Sequence, residues 1–273
     1  VGRVRSLREL TISRMEIKSL TPLAQCRQLE SLTLTSPQHP VDLTPLVGLP
    51  LRELTLAGDL PGDLRVLEQF PQLESLTLSV ETSLYRYSYQ PPLMTKLVVL
   101  PDFTKLTHLK KLRLIGVRLT DCTALTPLSA LQELEVSGCD LQSLHGLESQ
   151  QHLIKLSVES NHLTDLQPIA ALPLDLLDLT HNPLQSLAGI AGLNRARFIV
   201  LSDTTASDPA PLLALIAARP SNAAIELRLA LDKSSLPDGP FEELSPTLEG
   251  KRVNIALPSG GDIPHWYSHT GPH

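Results

Sequence analysis

A leucine pattern that returns every 22 residues constrains this chain more than any other feature. The motif LxxLxL opens at Leu7 (Leu7, Leu10, Ile12) and recurs at Leu29, Leu51 and Leu73. It resumes at Leu109, Leu131, Leu153 and Leu174, with a degenerate copy at Ala196 (Ile199, Leu201). The spacings are 22, 22, 22, 36, 22, 22, 21 and 22 residues, and the 36 is one period plus fourteen, an insertion within the fourth repeat. Self-similarity at a fixed period of this length belongs to stacked-repeat architectures. Composition agrees: 58 of 273 residues are Leu and only 9 are aromatic, so the core draws on one side chain rather than on the usual mixture.

Within a unit the apolar positions follow LxxLxLxxxxLxxLxxLxxL, as in Ile17, Leu20, Leu23 and Cys26 after the first strand. The same spacing appears in Leu119, Cys122, Leu125 and Leu128, and in Leu184, Leu187, Ile190 and Leu193. The LxL core is period-two alternation, which predicts a short strand with two side chains inward. The later spacing of three predicts a 3-10 or extended return, in which residues i and i+3 align. One unit cannot bury its inner face alone. Stacked units can, with a parallel sheet on one side and the returns on the other.

This pattern resembles the leucine-rich repeat. Leu20-Thr21-Pro22-Leu23, Leu43-Thr44-Pro45-Leu46 and the run Leu163 to Ile169 are similar to the 22-residue repeats of bacterial internalins, and the spacing also resembles the phosphatase-regulating SDS22-type class. The resemblance covers roughly residues 5 to 205. It implies an α/β fold, a right-handed leucine-rich repeat solenoid of about nine repeats, with a curved parallel β-sheet on the concave face and 3-10 or extended returns on the convex face. It also implies a bacterial source. The family's buried Asn ladder is partly kept: Asn161 and Asn182 hold the ninth position, Cys139 and Asp59 replace it, and Met15 and Val117 do so elsewhere. An Asn there satisfies backbone groups at the bend and Met cannot, so the corners at Met15 and Val117 are expected to use water or to turn differently.

The division expected is a repeat array over 1–205 with its insertion at about 80–96, capping β/α units over 206–257, and a Gly/Pro-rich tail over 258–273. The cap is read as a helix over 209–219, a strand over 224–229, a short helix over 241–249 and a strand over 253–257. No capping helix precedes the first strand. An upstream segment or a partner is therefore expected to cover that edge.

Several function classes fall away. A net charge of −6 gives no basic stripe for nucleic acid, and no window reaches eighteen apolar residues for a membrane span. The start Val1-Gly2-Arg3 is neither a leader nor an initiator Met, so the chain is read as a processed or excised piece. Three widely spaced cysteines without CxxC, and no glycosylation sequon, fit a reducing, cytoplasmic setting. Cys26 and Cys122 fall on core positions and are expected to be buried, inert thiols, as is Cys139. His265, His269 and His273 are spaced by four, but Gly271 and Pro272 break any helix that would align them, so no metal site is expected. No GxSxG, HExxH, P-loop or GxGxxG occurs, and neither an enzyme nor a cofactor is expected.

Binding is the class that remains. Strand residues two, four and six places after each repeat's first Leu point away from the core. In the first four repeats these are mostly Ser, Thr and Glu, with Thr11, Thr33, Thr55 and Thr77 in the central column. That column is either a polar ligand track or simply β-branched stacking. Later repeats place Lys111, Arg113, Glu133, Glu135, Lys155, Glu159 and Asp178 on this face beside an apolar corner of Leu176, Phe198 and Val200. Mixed charges suit register and specificity toward a protein partner, unless they pair among themselves. The insertion carries Tyr85, Arg86, Tyr87 and Tyr89, with the tyrosines on alternate residues. Tyr and Arg are enriched at binding hot spots, so these four are candidate contacts, although the tyrosines could pack on the array's own flank.

The function expected is non-catalytic recognition of a protein partner through the concave sheet and this insertion. Three other readings stand beside it: the substrate-recognition part of a larger bacterial effector such as a ubiquitin ligase, the sensor end of a multidomain immune receptor, and an SDS22-like phosphatase regulator.

Overall fold

The computed structural model describes residues 6–14, 17–35, 39–80, 96–201, 206, 208 and 210–218, and the backbone of two further strands at 227–231 and 253–256. The chain divides into two compact units, Val1–Leu153 and Ile154–His273. Unit one carries strands β1 (Glu9–Ser13), β2 (Ser31–Thr35), β3 (Glu53–Ala57), β4 (Ser75–Ser79), β5 (Lys111–Ile115) and β6 (Glu133–Ser137). Each pairs in parallel with the next, residue on equivalent residue: Leu10 with Leu32, Leu32 with Leu54, Leu54 with Leu76, Leu76 with Leu112, Leu112 with Leu134. The fourteen extra residues between β4 and β5 leave this register untouched.

Unit two carries β7 (Lys155–Ser157), β8 (Leu176–Asp178), β9 (Phe198–Leu201), β10 (Leu227–Leu231) and β11 (Val253–Ala256), paired in parallel in that order. Helix α1 (Ala210–Ala218) lies within the expected helix and buries Leu212, Leu215 and Ile216. The strand expected over 224–229 runs instead from Leu227 to Leu231. The 241–249 helix and the 258–273 tail lie outside the described residues.

The period of three has a direct cause. In the first return Leu23 N–H donates to Leu20 C=O, Cys26 to Leu23 and Leu29 to Cys26, at 2.8–2.9 Å. Each inward side chain therefore belongs to the residue that closes the next 3-10 bond. The third and eighth returns repeat the arrangement through Leu67, Phe70 and Leu73, and through Ile190, Leu193 and Ala196. Leu29, Leu32, Leu34, Leu73, Leu76 and Leu78 are fully buried, whereas Leu10 and Ile12 on β1 stay partly exposed.

Every return starts with an acceptor placed just before its first inward residue. Ser19, Asp42, Asp63, Asp102, Asp121, Ser143, Asp165 and Ser186 each accept the N–H two residues on, at 2.9–3.2 Å. These side chains satisfy donors that a short 3-10 turn leaves open. At Asp42, Asp102 and Asp121 the following threonine's side chain and then its N–H hold the carboxyl below the usual range. At Asp63, Arg65 lowers it to about 2.

The Asn corner holds in unit two and is imitated in unit one. Asn182 Nδ2 donates to Val158 C=O of the preceding repeat (2.8 Å) and to Leu179 and Thr180 C=O of its own (3.0 and 3.2 Å). Its Oδ1 accepts Leu163 N–H at 3.1 Å. Cys139 stands at the same position. Its thiol donates to the equivalent carbonyls of Leu114 (3.3 Å) and Ser137 (3.2 Å), and its backbone C=O accepts Leu119 N–H at 2.8 Å. Burial pushes the Cys139 thiol up to about 12, in keeping with an inert hydrogen-bonding role. Cys26 and Cys122 are buried at core positions as expected, and none of the three cysteines forms a disulfide. Asp59 departs from the ladder, because its carboxylate reaches outward to Lys96 Nζ at 2.6 Å.

Two outcomes follow from these corners and returns. Cys139→Val should cost about 1–3 kcal/mol, the price of leaving buried carbonyls unpaired, while Cys139→Asn should hold or raise the melting temperature. Equal melting temperatures for the Val and Asn variants would contradict the assignment. The carboxyls of Asp42, Asp63, Asp102 and Asp121 are depressed, so their contribution is present above the unfolded value of 3.8 and fades as pH falls through the folded one, near 2 for Asp63. Urea titrations should show stability declining across that window, and Asp63→Asn should flatten the decline.

Candidate functional site

The face of the sheet that points away from the leucine core is the candidate site, and each unit presents its own stretch. In unit one the central register position reads Thr11, Thr33, Thr55, Thr77, Arg113, Glu135 from β1 to β6. The threonine column therefore forms as expected. Thr11 is exposed, Thr33 and Thr55 are partly exposed, and Thr77 is buried. Alongside it, Ser31 Oγ donates to Glu53 Oε2 at 3.1 Å.

The charges of β5 and β6 meet across the register. Arg113 Nε donates to Glu135 Oε2 at 2.5 Å and Nη2 donates to Oε1 at 3.3 Å, a two-pronged pair whose side chains are 27% and 13% exposed. Lys111 and Glu133 lie 3.4 Å apart and are more exposed, at 53% and 33%. Of the two sequence readings, pairing among themselves describes these four residues. A partly buried, charge-assisted, bidentate bond is worth more than an exposed ion pair.

A second column of charge runs along the N-terminal ends of the strands. Arg8 meets Glu30 at 3.5 Å, Arg52 meets Glu74, and Lys110 meets Glu74 at 2.7 Å. The alternation of sign favours neighbours one period apart.

In unit two the candidates share the same kind of face but not one cluster of charge. Lys155 opens β7, Glu159 follows its end, Asp178 closes β8 and Phe198 opens β9. Lys155, Glu159 and Asp178 are partly exposed. Phe198 is buried with Leu176 and Val200, so the apolar corner expected on this face exists as a packed cluster. Asp178 Oδ1 accepts Thr180 N–H at 3.0 Å and Thr180 Oγ1–H at 2.7 Å. Burial raises its pKa, and Thr180 and the nearby His181 offset this in part. Ser157 and Thr180 were not singled out from the sequence, although their outward strand positions were readable there.

Tyr85, Arg86, Tyr87 and Tyr89 lie outside the described residues, but both ends of their segment are placed. Val80 N–H donates to Ile115 C=O at 2.9 Å and Lys96 N–H to Gly116 C=O at 2.8 Å. The chain thus leaves and re-enters at adjacent carbonyls. Among the described residues no group of three His, Cys, Asp or Glu side chains could hold a metal ion, and no helix is long and apolar enough to cross a membrane.

Solved structures of the same architecture fix the class. An internalin from Listeria monocytogenes matches with a TM-score of 0.69 at 19% identity, over 94% of this chain and 69% of that one. A leucine-rich repeat protein from Leptospira interrogans matches with a TM-score of 0.61 at 19% identity, over 94% and 80%. The chain has the leucine-rich repeat fold. The Arabidopsis receptor kinase HAESA, solved with the peptide hormone IDA and the co-receptor SERK1, matches with a TM-score of 0.56 at 20% identity, over 76% of this chain and 36% of that one. No protein-family model matches the sequence and no curated protein matches it, so the likeness is one of fold.

The two ion pairs between β5 and β6 should differ in worth. Arg113→Ala should cost about 1.5–3 kcal/mol, as expected for a lost hydrogen bond to a charged group. Lys111→Ala should cost no more than about 1 kcal/mol. Denaturant unfolding of both variants, with Glu135→Ala and Glu133→Ala closing the cycles, measures the couplings. Equal couplings would refute the ranking.

Proposed function

We propose that this leucine-rich repeat protein is a non-catalytic recognition module of bacterial origin, working in the cytoplasm and holding a protein partner against its open sheet face and its tyrosine-bearing insertion. The observation that carries the reading is the pinned base of the insertion. Closing a loop costs entropy that grows slowly with its length, and here the closure is made by two bonds to adjacent carbonyls, Ile115 and Gly116. Lys96 reinforces it, since its ammonium donates to Asp59 Oδ1 and to Leu60 C=O, both at 2.6 Å.

The re-entering chain is also used as structure. Lys96 bridges to Val117, and Val99 bridges to Asp63, each in parallel. Val98 is buried, but the apolar side chains on either side of it stay out: Leu97 is 76% exposed and Val99 49%. Exposed apolar residues that follow a run of Tyr and Arg in the sequence have the composition of an interface core rather than of an ordinary surface. The charges of β5 and β6 supply a polar rim on the open face of the same unit.

Replacing Tyr85, Tyr87 and Tyr89 together by Ser should leave the circular dichroism spectrum and melting temperature nearly unchanged. It should weaken the partner captured from a native lysate by at least about 2 kcal/mol, the usual hot-spot threshold. Lost stability with intact capture would make the tyrosines a packing flap and would overturn this part of the reading.

A further inference from the structure

The returns of unit one are not all packed alike. We infer that the groove between the second return (Thr44–Leu46) and the third (Arg65–Gln69) seats an extended segment of the protein partner, with an aliphatic side chain against Val41, Pro61 and Val66 and a lysine or arginine facing Asp42 and Glu68. The inference deepens the recognition reading above and rests on it.

The space has a counterpart in the sequence. Leu43, the first inward residue of the second return, comes fourteen places after Leu29, whereas Leu64 comes thirteen places after Leu51. The second return also closes one residue sooner, with Leu51 two places after Leu49 and Leu73 three places after Phe70. The two returns are thus one residue out of step, and between them lies a groove of about 510 Å³. That volume falls within the roughly 300–1,000 Å³ of sites that take a ligand. Gly62, beside Pro61 and Asp63, borders open space, since a Cβ there would meet nothing within 4 Å. At Gly146, by contrast, a Cβ would stand 2.5 Å from the Cys122 backbone. The groove is also reachable: Asp42, Asp63, Arg65 and Gln69 are exposed, and Pro61, Val66 and Glu68 are partly exposed.

Its charge is unbalanced. Arg65 is committed to Asp63, with Nε donating to both carboxylate oxygens at 3.1 Å and Nη2 donating to Oδ2 at 2.5 Å. Asp42 Oδ1 accepts Thr44 N–H at 2.9 Å, and Glu68 Oε1 accepts Asp102 N–H at 3.0 Å. These backbone donors bring hydrogen bonds but no cation, so the groove carries the negative charges of Asp42 and Glu68. It also adjoins the re-entry of the insertion. Val99 N–H donates to Gly62 C=O and Leu64 N–H donates to Val99 C=O, both at 2.8 Å. A partner that covers the exposed Val99 can therefore continue past Gly62 into the groove.

The lining defines the occupant. Val41, Pro61 and Val66 favour an aliphatic side chain, which gains by leaving water. Asp42 and Glu68 favour a cation, and the methylene stem of Lys or Arg can lie along the apolar lining while its charged end stays at the rim. An acidic segment would be repelled, and an uncharged one would leave both carboxylates without a counter-charge.

The test uses the full chain labelled with nitrogen-15 and three acetylated, amidated tetrapeptides, Val-Lys-Val-Lys, Val-Gln-Val-Gln and Val-Glu-Val-Glu. The lysine peptide should give saturating amide shifts at Val41, Asp42, Val66 and Glu68. The glutamine peptide should bind at least about tenfold more weakly, and the glutamate peptide should give no response. Added salt should weaken the lysine peptide and leave the glutamine peptide unchanged. Asp42→Asn and Glu68→Gln keep acceptors for Thr44 and Asp102 while removing the charges, so together they should abolish the lysine preference. Glu133→Gln, a charge removed from the sheet face, should leave that preference intact. Equal binding of the lysine and glutamine peptides, shifts that do not saturate in the groove, or a lysine preference that survives the double variant would overturn the proposal. Because the peptides need no natural partner, such a result would leave the insertion reading standing. The Tyr85, Tyr87 and Tyr89 triple variant should keep the lysine response.

Discussion

The corner after each strand is the constraint on which the stack depends. A strand of three to five residues must turn at once, and its last backbone groups face the interior, where an unpaired N–H or C=O is expensive. The chain solves this by borrowing from the next repeat. The eighth residue of a repeat donates its N–H to the seventh residue's C=O in the following one: Arg14 to Thr35, Gly58 to Ser79, Val80 to Ile115, Gly116 to Ser137, Ser160 to Thr180. That residue is bent into the left-handed region at Arg14, Gly58, Gly116, Gly138, Ser160 and His181. Glycine enters this region freely, while Arg14, Ser160 and His181 do so against their own steric preference. The neighbour's hydrogen bond is what makes the strained corner worth holding, so each repeat is satisfied by the one beside it.

The returns add a second coupling of the same kind. At Gly189 a side chain would put its Cβ 2.2 Å from Leu166 C=O, and at Gly192 the same distance from Ala170 C=O. Successive returns are packed backbone to backbone there, with no space for even one carbon. Gly146 is held in the same way against Cys122 and has φ +104. These glycines fix the separation of the returns, while the strands fix the separation on the other side of the core.

Most of this was legible in the leucines, and the reason is physical. An inward residue in a 3-10 return also closes the next backbone bond, so the apolar period and the hydrogen-bond period coincide and either reveals the other. The strands were readable for the same reason, through the alternation of Leu32 and Leu34 with Thr33. What could not be read was hydrogen-bond mimicry. The ladder position of Cys139 showed in the sequence. That its thiol would donate to Leu114 and Ser137, as Asn182 donates to Val158 and Thr180, depends on the distance of closest approach at the corner. The Asp or Ser before each return was available as a signal, since Asp42-Leu43, Asp63-Leu64, Asp165-Leu166 and Ser186-Leu187 repeat one arrangement. It lay in plain view as turn chemistry but was masked by the stronger leucine pattern. For the candidate site, outward positions were predictable from alternation, but whether a charge was already spent on its neighbour was not. The sequence left contact with a partner and mutual pairing both open for Arg113 and Glu135, and they are closed on each other.

That distinction decides where recognition can draw its free energy. A partner that meets Arg113 or Glu135 must compete with a bidentate bond already formed, so these residues can shape approach and register but add little affinity. The threonine column of β1–β4 offers hydroxyls whose water is easily replaced and as easily restored, which again yields little net gain. Two places differ. At the re-entry of the insertion, Leu97 and Val99 keep apolar surface in water that any covering partner would release. On β7, Ser157 Oγ has given up hydration without a hydrogen-bond partner among the described residues. A surface gains most from a partner where its own fold has left a group unsatisfied, because the cost of desolvating that group has already been met in folding.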